Sequence, residues 1–339
     1  MLSAALILAL ALFGLLLFIG RVSSRLTERI SDRYLSLDIP SGILCLLAVC
    51  LYFYILFCRA DLFSNQIFLW TLIGIAFLTL LEPCIRHSKI LRNKIDAAKF
   101  LRTLEPRKLG PVVCQHYEIG IGKEGVRLVQ LSDLHYNDLS KLFLAEVVSE
   151  VNKLEPDYVA ITGDFIQKIK DIPELITLLG KLKAKEKVFY VLGNHDFWIG
   201  AEKPLTEALD ALGFVHLKNE IYPAGEMIFL GTEAPWGEEM SKFASLDKEK
   251  LKIALGHDPD EWENWRKIGA HIVLAGHTHG GQIRFGLFGP MILPSKHGAM
   301  MAERVLSKDG CVMLISRGLG KPYLRFCNPT EITMIDIRL

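Results

Sequence analysis

Seven side chains between residues 133 and 279 have the types and spacing to hold divalent metal ions. They are Asp133 and His135 in Ser-Asp-Leu-His, Asp164 in Thr-Gly-Asp, Asn194 in Gly-Asn-His-Asp, His257 in Gly-His-Asp, and His277 and His279 in Gly-His-Thr-His. Ligands two residues apart point the same way in extended backbone, so each pair can face one ion or two neighbouring ones. Glycines precede Asp164, Asn194 and His257 and let the chain turn close to whatever those side chains hold. A donor set of imidazole, carboxylate and amide without cysteine excludes a thiolate scaffold site. It suits two catalytic divalent ions, manganese first, with iron or zinc as alternatives. A carboxylate such as Asp164 can bridge ions about 3.5–4 Å apart, an arrangement that prepares water for in-line attack on phosphorus. His195, beside Asn194, is then the candidate catalytic acid for the leaving oxygen. His87, His116, His216, His271 and His297 belong to no such motif and read as ordinary core or surface histidines.

These side chains need elements that deliver them to one place. Residues 126–131 alternate as a strand and run straight into the first motif. Leu144, Val147, Val148 and Val151 repeat at helical spacing, Pro156-Asp157 closes the helix, and Tyr158 to Thr162 is a short apolar strand. A helix from Pro173 to Lys183 and a strand from Val188 to Leu192 complete a second βαβ unit. Further strands are expected at Met227–Gly231, Lys252–Leu255, Ile272–Ala275, Cys311–Ser316 and Ile332–Ile337, with a helix over 259–268. The pattern predicts a layered α/β sandwich whose cleft lies beyond the carboxyl ends of its strands.

The chain has 339 residues, of which 50% are hydrophobic, and a net charge of +1. That charge and the lack of a basic patch interleaved with aromatics exclude nucleic acid as a partner. Seven cysteines without paired spacing read as reduced, mostly buried thiols. Three apolar runs, Leu2 to Ile19, Ile43 to Cys58 and Ile67 to Leu81, predict about three transmembrane helices, so residues 1–82 are expected to be a membrane anchor. Residues 83–110 carry Arg86, Lys89, Arg92, Lys94, Lys99, Arg102, Arg107 and Lys108 and read as a basic juxtamembrane linker. The positive charge places that flank on the inner side. The expectation is a multi-pass protein of the cytoplasmic (inner) membrane, with a catalytic domain at 111–339 facing the cytosol.

SDLH (132–135), TGD (162–164), GNHD (193–196), GHD (256–258) and GHTH (276–279) together resemble the calcineurin-like metallophosphoesterase family. The resemblance covers roughly residues 125–339. It implies a four-layer αββα sandwich, with Asp133, His135, Asp164 and His279 around one ion and Asp164, Asn194, His257 and His277 around the other. His195 inherits the leaving-group role. The longer GHTHGGQI (276–283) and SRGLG (316–320) are similar to the membrane-associated branch, which includes bacterial UDP-2,3-diacylglucosamine pyrophosphatases of lipid A synthesis. A lipid or nucleotide-lipid substrate follows as the expected partner. Protein phosphatases of the family continue the second motif as GDxxDRG, whereas Asp164 is followed here by Phe165, Ile166, Gln167 and Lys168. Asp196 is the substitute expected to orient His195.

Arg284, Arg317, Lys321 and Arg325 are expected either to contact phosphate or to be solvated. The apolar stretch Ile283 to Pro294 either completes the core or lines an acyl groove. Two rival functions stand beside the pyrophosphatase: a tethered phosphodiesterase or phosphatase of broad specificity, and a non-catalytic membrane scaffold.

Overall fold

The strands expected from the sequence all form in a computed structural model, which describes residues 101–120, 125–233, 240–243, 246, 249–285, 289–290, 293–320 and 325–339. The first sheet has eight strands: β1 (Leu101–Thr103), β2 (Arg107–Leu109), β3 (Val112–Gly120), β4 (Gly125–Leu131), β5 (Tyr158–Thr162), β6 (Lys187–Val191), β7 (Val215–His216) and β16 (Glu331–Arg338). Its order is β1-β3-β16-β4-β5-β6-β7, with β2 also paired to β3. The second sheet has six strands in the order β14-β15-β11-β10-β9-β8. These are β8 (Ile221–Ala224), β9 (Met227–Gly231), β10 (Leu251–Leu255), β11 (Ile272–Ala275), β14 (Val305–Lys308) and β15 (Cys311–Ile315). β12 (Arg284–Phe285) and β13 (Gly289–Pro290) form a separate hairpin pair.

Alternation along the strands builds the layers. Val129, Leu131, Val159, Ile161, Val188 and Tyr190 face the helices α1 (Lys141–Lys153), α2 (Ile172–Leu179) and α4 (Glu202–Asp210), whose buried residues include Leu144, Val147, Leu175, Leu205 and Leu209. Their neighbours Leu128, Tyr158, Ala160, Phe189 and Val191 turn the other way, onto Met227, Phe229, Ile253, Leu255, Ile272, Leu274, Val312 and Leu314 of the second sheet. Phe189 stacks on Phe229 across this seam at 4.3 Å between ring centroids. The second sheet's far face carries Ile228, Leu230, Ala254, Val273 and Met313 onto Trp262 and Trp265 of α5 (Trp262–Lys267) and onto Met301. Helix, sheet, sheet and helix follow one another, with an apolar seam at each junction. Each fully buried large side chain in these seams contributes about 1.5–3 kcal/mol.

Strands β4 to β7 run parallel, as do β9, β10, β11 and β15. The carboxyl ends of β4, β5, β6, β10 and β11 therefore lead directly into the motifs. β16 lies inside the first sheet, antiparallel to β4 and parallel to β3. Its Asp336 accepts from Arg127 Nε at 2.9 Å and lies 2.8 Å from His116 Nε2. Burial pushes the Asp336 carboxyl up, but the hydrogen bonds from Arg127 and His116 outweigh it and leave it below the usual carboxylate range. A depressed value stabilises the fold above the free-aspartate pKa, and that stability is lost as pH falls through the folded value. Asp336→Asn is expected to cost about 1–2 kcal/mol in urea unfolding at neutral pH, since Arg127 is partly exposed. The difference from wild type should shrink as pH falls below the free-aspartate value and through the lower folded one.

Among the described residues no helix is long and apolar enough to cross a membrane. The longest, α1, has 13 residues and spans about 20 Å, short of a hydrocarbon core of about 30 Å. This corrects the expectation of a multi-pass inner-membrane protein, and the transmembrane part of the expected fold is not retained. The three apolar runs lie outside the described residues. Where the 83–110 segment is described it includes two strands, Leu101 to Thr103 and Arg107 to Leu109, both paired with β3.

Candidate metal centre

The loop after β4 brings Asp133 and His135 back across the end of β5, with Asp133 N donating to Gly163 O at 3.0 Å and His135 N to Asp164 O at 2.9 Å. From the second sheet, the loop after β11 returns His277 N to Asp133 Oδ1 at 3.0 Å. Below the two loops Gln130 Nε2 donates to Thr162 Oγ1 at 3.0 Å and to Ala275 O at 2.9 Å, joining the sheets. The five motifs thus meet where two sets of strand ends face each other. Asp133, His135, Asp164, Asn194, His257 and His279 are all buried.

Asp133, His135, Asp164 and His279 present ligand atoms that lie within 4.8 Å of one another. The Nε2 atoms of His135 and His279 are 3.0 Å apart, His279 Nε2 is 3.4 Å from Asp133 Oδ1, and His135 Nε2 is 3.4 Å from Asp164 Oδ2. On the other side of Asp164, Oδ2 lies 3.3 Å from His257 Nε2, which is 3.1 Å from Asn194 Oδ1. The His277 ring stands 5.2 Å from that of His257. One carboxylate oxygen therefore touches two groups of donors.

The backbone is bent to achieve this. Asp133, His135, Asp164, His277 and His279 have φ of 51°, 41°, 56°, 65° and 49°, in the left-handed region. Each such residue costs about 1–3 kcal/mol and persists only where the surroundings impose it. Gly276 has a different constraint: a Cβ there would sit 2.0 Å from Ser132 Oγ and 2.3 Å from Asp133 Oδ2. Gly276→Ala must displace Asp133. It is expected to lower turnover by about a hundredfold and to lower metal content, measured by elemental analysis of the purified protein.

The electrostatics fit a cation. Burial pushes the His135 imidazole down to about 3 and His277 to about 4, and it holds His279 well below its usual value, so these rings are neutral, lone-pair donors. Burial pushes Asp133 up to about 6. Burial also works against charge on His257, yet Asp164, with its hydrogen bond, and Asp133 draw its proton in and raise it to about 10. Burial opposes charge on Asp164 too, but His257 outweighs it and keeps the carboxyl well below its usual value. The two carboxylates call for positive charge, and a proton on His257 supplies it where a divalent ion would do so more fully. Outer nitrogens are already engaged: His257 Nδ1 lies 2.7 Å from Thr162 O, and the terminal amide of Gln167 lies 2.8 Å from His135 Nδ1. Such contacts fix the imidazole so that Nε2 faces the ion. The residues present fit divalent ions.

His195 lies at the start of the short helix α3 (Asn194–Trp198), its ring 4.8 Å from the His135 ring and 4.9 Å from that of Trp198. Its backbone N donates to Asp164 Oδ1 at 2.9 Å. Asp196 does not orient that ring, contrary to expectation. Its carboxylate is consumed by the N–H groups of Gly193, Asp164 and Phe165 at 3.0, 3.0 and 2.9 Å, so it holds the turns that carry Asp164 and Asn194. Burial and the neighbouring Asp164 push it up to about 7.

Of the four basic residues, Arg284 is tied to Gly280 O, Ala302 O and Glu303, and Arg317 lies beneath Gly280. Lys321 lies outside the described residues, as do parts of the apolar stretch from Ile283 to Pro294. Among those described, Arg325 reaches one of the candidate ligands, with Nη2 3.2 Å from His279 Nδ1. The contact of Gln167 with His135 and that of Asn328, which donates to His279 O at 2.6 Å, were not foreseen. Gln167 was marked only by the aspartate it replaces, and Asn328 by no motif. His116, His216 and His271 are core or surface histidines, as expected, bonded to Asp336, Glu233 and the Lys252 backbone.

A mixed two-sheet sandwich with a buried cluster of carboxylate and imidazole at its strand ends is suited to holding divalent ions. Residues 126–281 match the calcineurin-like phosphoesterase family, and the chain carries a calcineurin-like metallophosphoesterase domain. It is similar to an uncharacterized metallophosphoesterase of Helicobacter pylori, 31% identical over 228 residues, which are 62% of this chain and 60% of that relative. It is also similar to the Escherichia coli phosphodiesterase YaeI, 27% identical over 222 residues, 62% of this chain and 82% of the relative. The UDP-2,3-diacylglucosamine pyrophosphatase LpxG of Chlamydia trachomatis is 25% identical over 273 residues, 62% of this chain and 83% of its own length.

Proposed function

We propose that this chain hydrolyses a phosphoanhydride or phosphodiester with two divalent ions that share Asp164. Asp133, His135, Asp164 and His279 would hold one ion, and Asp164, Asn194, His257 and His277 the other. The observation that carries this reading is Asp164 Oδ2, 3.4 Å from His135 Nε2 and 3.3 Å from His257 Nε2. When bound, the ions supply an activated water and neutralise charge on the phosphoryl oxygens. The chain's own residues do the rest. Asp196 holds the turns, Gln167 and Thr162 O fix the rings of His135 and His257, and His195 gives a proton to the leaving oxygen from beside the cluster. Manganese is the proposed ion, with iron and zinc also suited to these donors.

The proposed substrate is a nucleotide-lipid phosphoanhydride of the UDP-2,3-diacylglucosamine kind. The named Chlamydia relative supports it, and so does apolar surface at the rim. Leu139, Leu142, Ile169 and Trp198 are exposed, and each follows the carboxyl end of β4, β5 or β6. The Escherichia coli relative favours a second reading, hydrolysis of simpler phosphodiesters. Manganese-loaded full-length protein assayed on UDP-2,3-diacylglucosamine and on bis(p-nitrophenyl) phosphate separates the two. A clear preference in kcat/KM for the nucleotide lipid supports the first, equal or better use of the small diester the second, and turnover of neither defeats both.

A further inference from the structure

Arg325 is a half-buried cation with no carboxylate partner among the described residues. Its Nε and Nη2 donate to Gly320 O at 2.9 and 2.6 Å, and Nη2 also reaches Gly318 O at 3.4 Å. Nη1 is buried and has no hydrogen-bond partner among the described residues. Asp133 and Glu331 act on the guanidinium only through space, while burial holds its pKa below the usual arginine value. Three other arginines have carboxylate partners, Arg304 with Glu331 at 2.7 Å, Arg284 with Glu303 at 3.4 Å and Arg127 with Asp336 at 2.9 Å, whereas Arg317 resembles Arg325 in having a buried nitrogen, Nε, with no hydrogen-bond partner among the described residues. A cation partly withdrawn from water with a buried, unsatisfied N–H is costly unless an anion completes it.

Its position says where that anion belongs. The carbonyls that anchor it come from the loop after β15, which is packed on the cluster: Gly320 N donates to Asp133 O at 2.6 Å, and a Cβ at Gly320 would sit 2.6 Å from His135 Cβ. Arg325 Nη2 is 3.2 Å from Nδ1 of His279, whose Nε2 faces Asp133 and His135. A histidine that ligates through Nε2 carries its proton on Nδ1. Two donors then lie side by side at 3.2 Å, and an acceptor placed beside them would be drawn to both.

We propose that Arg325 is a substrate-binding residue that clamps a non-bridging phosphoryl oxygen beside the ion held by His279. The proposal rests on the two-ion reading of the site. Charge and fork geometry match: a guanidinium offers paired N–H groups to a phosphoryl group, and a hydrogen bond from a charged donor strengthens as negative charge gathers on those oxygens. The carbonyls of Gly318 and Gly320 hold the fork in advance, so little side-chain freedom is lost on binding.

The test uses manganese-loaded full-length wild type, R325Q and R325K, with inorganic phosphate as the probe in titration calorimetry. Metal content is measured in parallel, and kcat and KM are measured on bis(p-nitrophenyl) phosphate. R325Q is expected to weaken phosphate binding and raise KM by roughly tenfold to a hundredfold, while retaining two ions per chain. R325K, which keeps the charge without the fork, should recover part of that loss. Phosphate affinity in R325Q within about twofold of wild type, or no phosphate binding by loaded wild type, overturns the proposal. Loss of an ion in R325Q also overturns it, since Arg325 would then be positioning His279. If phosphate binding falls as expected while wild type turns over no ester, Arg325 stands and the hydrolase reading fails.

Discussion

Asp164→Asn is expected to lower kcat/KM by about a thousandfold or more and to reduce bound manganese from two ions per chain to one or none. The substitution keeps the shape of the side chain but removes its charge and puts an NH2 donor where a carboxylate oxygen stood. Oδ1 already accepts from His195 N at 2.9 Å, so Oδ2, which faces both His135 and His257, is the oxygen left for cations. With the amide oxygen kept toward His195 N, the amide nitrogen confronts two ligand imidazoles. A thousandfold is about 4 kcal/mol of barrier, within what two-ion stabilisation of a phosphoryl transition state supplies. Paired elemental analysis and kinetics check it. Full activity with two ions retained would remove Asp164 from the bridge.

His195→Ala should behave differently. Its ring packs edge-on to that of His135 at 4.8 Å, while its side chain supplies none of the close ligand contacts that Asp164 makes. Two ions should remain bound, and kcat should fall by about a hundredfold to ten-thousandfold on substrates whose leaving oxygen needs a proton. On esters of p-nitrophenol, which leaves as a stable anion, the loss should be much smaller. That contrast between leaving groups, at constant metal content, separates proton donation from ligation. An equal loss on both kinds of substrate would give His195 a role in charge stabilisation instead.

The site was more legible in the sequence than its support. The candidate ligands were readable because each sits within a short motif at a strand end, and strand ends are set by local alternation, as along residues 126–131 and 158–162. Their meeting depends on two sheets facing each other, which the βαβ rhythm implies but does not place. What escaped was non-local or turned by the backbone. Arg325 reaches His279 across 46 positions of sequence, and Asn328 across 49. Asp196 lies next to His195 in sequence, but α3 turns its carboxylate back onto the N–H groups of Gly193, Asp164 and Phe165.

The early strands escaped for another reason. β3 buries Cys114 and Gln115 side by side, which blurs the period of two, and β2 is the basic triplet Arg107-Lys108-Leu109, which reads as linker. The membrane expectation came from the three apolar runs and the basic flank after them, and the runs lie outside the described residues.

The central claim is that this cluster holds two divalent ions and uses them for hydrolysis. The most direct measurement is a manganese titration of chelator-stripped full-length protein, with bound metal and hydrolysis of bis(p-nitrophenyl) phosphate followed in the same samples. The expected result is no activity at zero ions and full activity only as occupancy approaches two per chain. Undiminished hydrolysis by the stripped protein, or two ions bound equally well by wild type and Asp164→Asn, would contradict it.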